Sequence, residues 1–153
     1  MKRIFALFTA LIILSCSVLC TTAKETPSTH TVITIEYLEN GDYIETILTW
    51  EDSNARVTKP ASKTVKYTNS SGTLLWSLTL TATFSYNGTT ATCTSAYHSE
   101  TAYYSYVTII SGSASKSGNK AIANASASAT NSAGTNVYSL SATITCSPDG
   151  TFS

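Results

Sequence analysis

The stretch TLLWSLTLTATFSY, residues 73–86, decides the fold. Leu74, Trp76, Leu78, Leu80, Ala82, Phe84 and Tyr86 fall on one side of a two-residue repeat. Ser77, Thr79, Thr81, Thr83 and Ser85 fall on the other, and only Leu75 is out of step. Successive side chains of a strand point to opposite faces, so the pattern predicts a strand with one face on the core and a hydroxyl-coated outer face. Helical spacing is hard to find anywhere after residue 24.

Downstream of this stretch, Asn87-Gly88 is a hairpin signal, and Thr89 to Tyr97 reads as the returning strand, with Cys93 opposite Ala82. Ala102 to Ser111 reads as another strand, and Lys116-Ser117-Gly118-Asn119 as a turn. Ala121, Ala123, Ala125, Ala127 and Ala129 form a small-residue stripe that lets a facing sheet or loop come close. After a turn over Asn131 to Thr135, the last strand sets Tyr138, Leu140, Ala142, Ile144 and Cys146 on one face.

Upstream, Asn69-Ser70-Ser71-Gly72 is a turn that follows a strand over Lys63 to Thr68. The polar stretch Glu51 to Ser62, with Pro60, shows no alternation and reads as a loop or irregular edge. Before it, Thr31 to Leu38 and Tyr43 to Trp50 flank Asn40-Gly41, a type I′ hairpin signal. A two-residue loop there sets Tyr37 opposite Ile44 and Ile33 opposite Leu48. It also sets Glu36 against Glu45 on the wet face. About eight strands at this spacing predict an all-β, antiparallel β-sandwich, immunoglobulin-like or related, with a squat barrel as the alternative. The expected organisation is a signal peptide over 1–23, a polar lead-in over 24–30 and a single sandwich domain over 31–153.

The leader is read from Lys2 and Arg3, the apolar run Ile4 to Leu14, and the small residues Thr21 and Ala23. Two processing routes compete. One is ordinary cleavage after Ala23. The other is a lipobox-like Ile13-Leu14-Ser15-Cys16, in which Cys16 is the candidate lipid anchor. Cleavage at Ala23 leaves seven basic against nine acidic residues, a net charge of about −2. There is no basic stripe, so nucleic acid is not an expected partner, and membrane contact is confined to the leader or the anchor. Charged residues are 12% of the chain, about half the usual share, while 50 of the 153 residues are Ser or Thr. That bias fits a strand-built surface protein.

Cys93 and Cys146 remain after cleavage, each in phase with an apolar face. An even pair in an exported protein predicts a disulfide, worth about 4 kcal/mol in the chain-entropy model for so long a loop. Neither stands at metal-ligand spacing with His or a further Cys, so no metal and no cofactor is expected.

Catalytic chemistry is poorly supported. His30 sits in the lead-in, and His98 reads as an exposed strand-end residue beside Glu100. No nucleophile elbow accompanies either. The carboxylates Glu36, Glu39, Asp42, Glu45, Glu51 and Asp52 mostly flank a hairpin, where acids serve solubility. The aromatic residues are the better lead. Tyr97, Tyr103, Tyr104 and Tyr106 cluster within ten residues, and exposed rings on a sheet are suited to stacking on sugars. Trp76 is in the core register, and Trp50, ending a strand, is a further candidate contact.

The runs Asn40-Gly41-Asp42-Tyr43-Ile44, Ser71-Gly72-Thr73-Leu74-Leu75-Trp76 and Ala82 through Gly88 to Thr92-Cys93-Thr94-Ser95 carry a further likeness. So do Ser113 to Asn119 and the ending Thr145-Cys146-Ser147-Pro148-Asp149-Gly150. Together they resemble a group of small secreted β proteins of Gram-positive, Clostridia-like bacteria. The resemblance covers roughly residues 36–153. It implies an extracellular β protein with two matched cysteines and implies no activity. The expected function is thus an exported, non-enzymatic extracellular or cell-envelope module, binding or structural. The alternatives are a glycan-binding module using the tyrosines and a secreted effector or inhibitor that engages a partner protein through a loop such as Glu51 to Ser62.

Overall fold

The computed structural model describes residues 28–52, 58–132 and 134–153. The expected signal peptide, with Cys16 and both cleavage routes, lies outside the described residues, as do residues 53–57 of the polar stretch. Eight strands are described: β1 (Thr29–Tyr37), β2 (Tyr43–Glu51), β3 (Thr58–Thr68), β4 (Leu74–Tyr86), β5 (Ala91–Ala102), β6 (Val107–Ser117), β7 (Lys120–Asn131) and β8 (Gly134–Thr145). They form two antiparallel sheets, one in the order β1-β2-β3-β4-β5 and one in the order β6-β7-β8. The sheets face each other as a sandwich and do not close into a barrel. Each is a plain meander, so the strand order is not the Greek key of the immunoglobulin fold that the strand spacing suggests.

The core follows the alternation. Trp76, Leu78, Leu80 and Phe84 of β4 are completely buried against Ala121, Ala123, Ala127 and Ile144 of the smaller sheet. Each large side chain contributes about 2 kcal/mol by leaving water. The alanine stripe of β7 is buried along its length, and Cα atoms of β7 come within 8 Å of those of β4. Leu75, the residue out of step, is the extra residue of a bulge where Tyr67 pairs with Trp76 and Thr68 with Leu74.

Three features differ from the sequence reading. First, Thr58 to Ser62 is strand, not loop. Pro60 is tolerated because β2 pairs with β3 only from Ala61 onward. Second, β5 runs on to Ala102, so Tyr103 to Tyr106 form the crossover between the sheets and are not part of a strand. In the same strand, Cys93 pairs with Phe84, not Ala82, because the hairpin turns at Gly88-Thr89, as the Asn87 N to Thr90 O bond of 3.1 Å shows.

Third, the first hairpin has a three-residue loop. Leu38 O accepts from Gly41 N at 3.0 Å, Leu38 N donates to Asp42 O at 2.8 Å, and Gly41 has φ +82°. This is a type I turn closed by a glycine bulge. The register slips by one residue from the two-residue expectation: Tyr37 pairs with Tyr43 and Ile33 with Ile47. A slip of one exchanges the faces. Ile33, Ile35 and Tyr37 therefore point away from the core, and Val32 and Thr34 share the inner face with Leu48 and Thr46. The slip also removes the Glu36–Glu45 opposition, and Glu45 instead accepts from Lys66 at 2.7 Å.

No strand of the smaller sheet reaches β1 or β2. The larger sheet thus has a body, β3 to β5, that the smaller sheet faces, and a wing, β1 and β2, that it does not, although Leu48 of β2 still joins the core. Every described residue of β1 but none of β4 except Thr81 is exposed.

Candidate functional site

The meander carries the turns after β1, β3, β5 and β7 to one end of the sandwich, here called the upper end. They surround an open cleft of about 630 Å³ lined by Asn40, Asp42, Asn69, Tyr106, Asn136 and Tyr138 among others. Asp42 is buried and organises the site. Its carboxylate accepts from Tyr67 Oη at 2.5 Å, Ser70 N at 2.7 Å and Asn40 Nδ2 at 2.8 Å. Burial first, and next the Asp42 carboxylate, push the Tyr67 hydroxyl above the ordinary phenol range, so it stays a donor. Tyr67 also packs on Tyr138 with ring centroids 4.5 Å apart. The cleft thus offers amides, hydroxyls and a tyrosine over a fixed floor.

The tyrosine cluster read from the sequence is divided by the fold. Tyr104 and Tyr106 stack at the upper end with centroids 5.2 Å apart. Tyr103 turns to the outer face, its hydroxyl 3.3 Å from Ser77 Oγ. Tyr97 is exposed on β5, opposite Thr81 and remote from that stack. Of the four, only Tyr106 lines the cleft. Trp50 is no free contact residue: His30 stacks on its ring at 5.2 Å, and Phe152 approaches it at 5.8 Å. Asn40 and Asn69 have the appearance of ordinary turn formers, as Asn69 is when its Oδ1 accepts from Ser71 N and Thr73 N, and Asn136 that of a strand residue.

The lower end holds a cluster that the sequence does not announce. His30 is a residue of β1, not of a lead-in. Its Nε2 lies 2.5 Å from Asp52 Oδ2, and Lys59 Nζ donates to Asp52 Oδ1 at 2.9 Å. Hydrogen bonds from Lys59, and next from His30, hold Asp52 at about 2. Ser28 Oγ donates to Asp52 Oδ2 at 3.2 Å and lies 3.5 Å from His30 Nε2. Ser, His and Asp are together, yet one imidazole nitrogen faces both partners. A relay needs the two nitrogens to divide those roles. The cluster serves as a clamp: Lys59 also donates to Gly150 O at 3.2 Å and lies over the Phe152 ring, which packs on Phe84. Residues 146–153 are thereby drawn across the bottom of the sandwich.

His98 is not at a strand end. It lies within β5, on the inner face, with Nδ1 2.7 Å from Glu100 Oε1. Gly112 of β6 makes room for this pair, since a Cβ there would stand 2.1 Å from Glu100 Oε1. Neither residue lines the upper cleft.

Where the sequence reading expects a disulfide, the structure has two buried thiols. Each sulfur is turned to its own neighbourhood, Cys93 Sγ to Ser95 O at 3.3 Å and Cys146 Sγ to Ser147 O at 3.4 Å. Both residues nevertheless dock on one turn, through Cys93 N to Gly118 O at 2.8 Å and Cys146 N to Asn119 O at 3.0 Å. Burial raises both thiols above the ordinary range, which makes them poor nucleophiles.

The remaining feature is the free edge of β1. The other edges are guarded. β5 is covered by β6, whose Lys116 ammonium donates to Thr94 O. β6 carries a bulge at Ile109/Ser111, and β8 is paired at its lower end by Ser153 with Thr145. Such devices keep sheet edges from pairing. β1 has no Lys, no Pro and no bulge, and no described residue lies along its outer side. On its outer face Ile33, Ile35 and Tyr37 are 56%, 52% and 75% exposed.

No protein-family model, no curated protein and no solved structure matches the chain.

Proposed function

We propose that this protein is an exported, non-enzymatic module of the extracellular space or cell envelope that acts by binding through the open edge of its larger sheet. The observation that carries the reading is β1: a nine-residue strand, exposed throughout, with an edge that no described residue covers and Ile33, Ile35 and Tyr37 on its outer face. An edge of this kind supplies affinity through its backbone and selectivity through alternate side chains. The basic start and apolar run of residues 2–14 support export. The two cysteines, brought to one turn, are suited to closing as a pair in an oxidising space. The test is retention of the labelled mature protein on the envelope of the producing cell, for wild type and Ile33→Lys, with folding checked by circular dichroism. Saturable binding that the substitution abolishes is expected. Equal binding by both proteins would remove the edge from the account.

A second reading is favoured by the upper cleft. Asn40, Asn69 and Asn136 beside Tyr106 suit a neutral, polyhydroxylated ligand such as a glycan, where amides bond hydroxyls and the ring covers a sugar face. A glycan array probed with wild type and Tyr106→Ala tests it: signal on defined sugars, lost in the variant, supports the cleft, and a blank array sets it aside.

A further inference from the structure

We propose that β1 pairs antiparallel with β1 of a second copy of this chain, about a two-fold axis through Ile33, so that the two larger sheets become one. The inference rests on the reading of β1 as the binding edge and names its occupant.

The backbone phase sets the register. Asp52 N bonds Ser28 O at 2.9 Å at one end of the hairpin and Leu38 N bonds Asp42 O at 2.8 Å at the other. In an antiparallel ladder such bonded positions recur every second residue. His30, Val32, Thr34 and Glu36 therefore direct their backbone groups to β2, and Thr29, Thr31, Ile33, Ile35 and Tyr37 direct theirs outward. These five are placed symmetrically about Ile33. A two-fold axis there sets Ile33 opposite itself, Thr31 opposite Ile35 of the second copy and Thr29 opposite its Tyr37. Each pair exchanges both backbone bonds.

The side chains agree with this register. In the closer, non-bonded sites, His30 falls opposite Glu36 of the second copy and Val32 opposite its Thr34. No charge meets its like. A shift of two residues in either direction loses one bonded pair and sets Glu36 against Ser28 or Val32 instead. On the outer face the apolar residues Ile33, Ile35 and Tyr37 of each copy meet at the axis through Ile33, with Ile47 and Tyr43 of β2 behind Ile33 and Tyr37. A patch that complements itself about one residue is what a closed two-fold dimer requires. A foreign strand would gain no comparable match from Ile33 being central.

Residue 33 meeting itself gives a direct test by sedimentation equilibrium of the mature protein. Wild type is expected to form dimers. Ile33→Lys and Ile33→Asp, each alone, place like charges across the axis and should weaken association by at least about tenfold. An equimolar mixture of the two variants should recover it, as a heterodimer. Because Ile33 is over half exposed, both variants should fold as the wild type does, and circular dichroism checks this. Dimers that persist in both variants, or a mixture that stays monomeric, would overturn the register. A monomeric wild type whose envelope binding is still lost in Ile33→Lys would overturn this inference but leave the proposed function standing. A monomer with envelope binding unaffected by the substitution would remove both.

Discussion

β4 and β1 carry the same kind of sequence and meet opposite fates. Each sets large apolar residues on one face, Leu78 among them in β4 and Ile33, Ile35 and Tyr37 in β1, yet Leu78 is 0% exposed and Ile33 56%. Two things separate them: the register of the first hairpin turns Ile33 to the outer face, and the smaller sheet covers only one of the two strands. β4 is faced by β7 and β8, and no strand of the smaller sheet reaches β1. Five strands cannot all be covered by three, and the surplus lies on the side of β1 and β2. Alternation therefore groups residues on a face, and the hairpin register together with the cover of the facing sheet decides whether that face is core or contact surface.

The largest effect that sharpens this contrast is expected in the body. Phe84→Ala, in a site with no exposure, should lower the unfolding free energy by about 3–5 kcal/mol in urea titration. A loss under about 1 kcal/mol would mean that the body is not the core. Asp42→Ala should come next. It strands the buried Tyr67 hydroxyl and frees the Ser70 amide at the upper end, for a cost of about 1–3 kcal/mol in the same assay.

The lower clamp should show itself in acid. Asp52 is held at about 2, below its ordinary carboxylate value near 3.8. A depressed pKa means that its contribution is complete above the unfolded value and is lost as pH falls from about 4 towards 2. Asp52→Asn should therefore be less stable than wild type at pH 6 but lose less on acidification through that window, measured by thermal melts. Identical acid profiles would show that the clamp does not hold the lower end. Smallest of all, Ile33→Thr in the wing should shift the stability of the monomer by no more than about 0.5 kcal/mol, measured at high dilution.

Most of the fold was legible because it is written locally. Alternation places β4, β7 and β8 with their core faces, and the glycine-bearing turns locate the first two hairpins to within one residue. The first hairpin departs from its expected register for a local reason as well. Asn40-Gly41 suits the two central positions of a type I′ turn, and equally the last two positions of a type I turn with a glycine bulge. The two differ by one residue, and that residue decides whether Ile33 and Ile35 face the core or the solvent. In the three-residue loop Asp42 meets a distant partner, Tyr67, that the local sequence does not name. The candidate sites were less legible still. His30, Asp52 and Lys59 look unrelated in the chain and meet only once β1, β2 and β3 are side by side. Asn40, Asn69 and Asn136 come from separate turns and strands, and only the sandwich gathers them around one cleft.

Amide hydrogen exchange of the mature protein, at low and at high concentration, tests the central claim most directly. The outward amides of Thr31, Ile33 and Ile35 should exchange rapidly when the protein is dilute. They should become protected when it is concentrated, with Val32 and Thr34, already bonded to β2, changing much less. Outward amides that exchange at one rate at every concentration would contradict the account of β1 as an edge that pairs with its own copy.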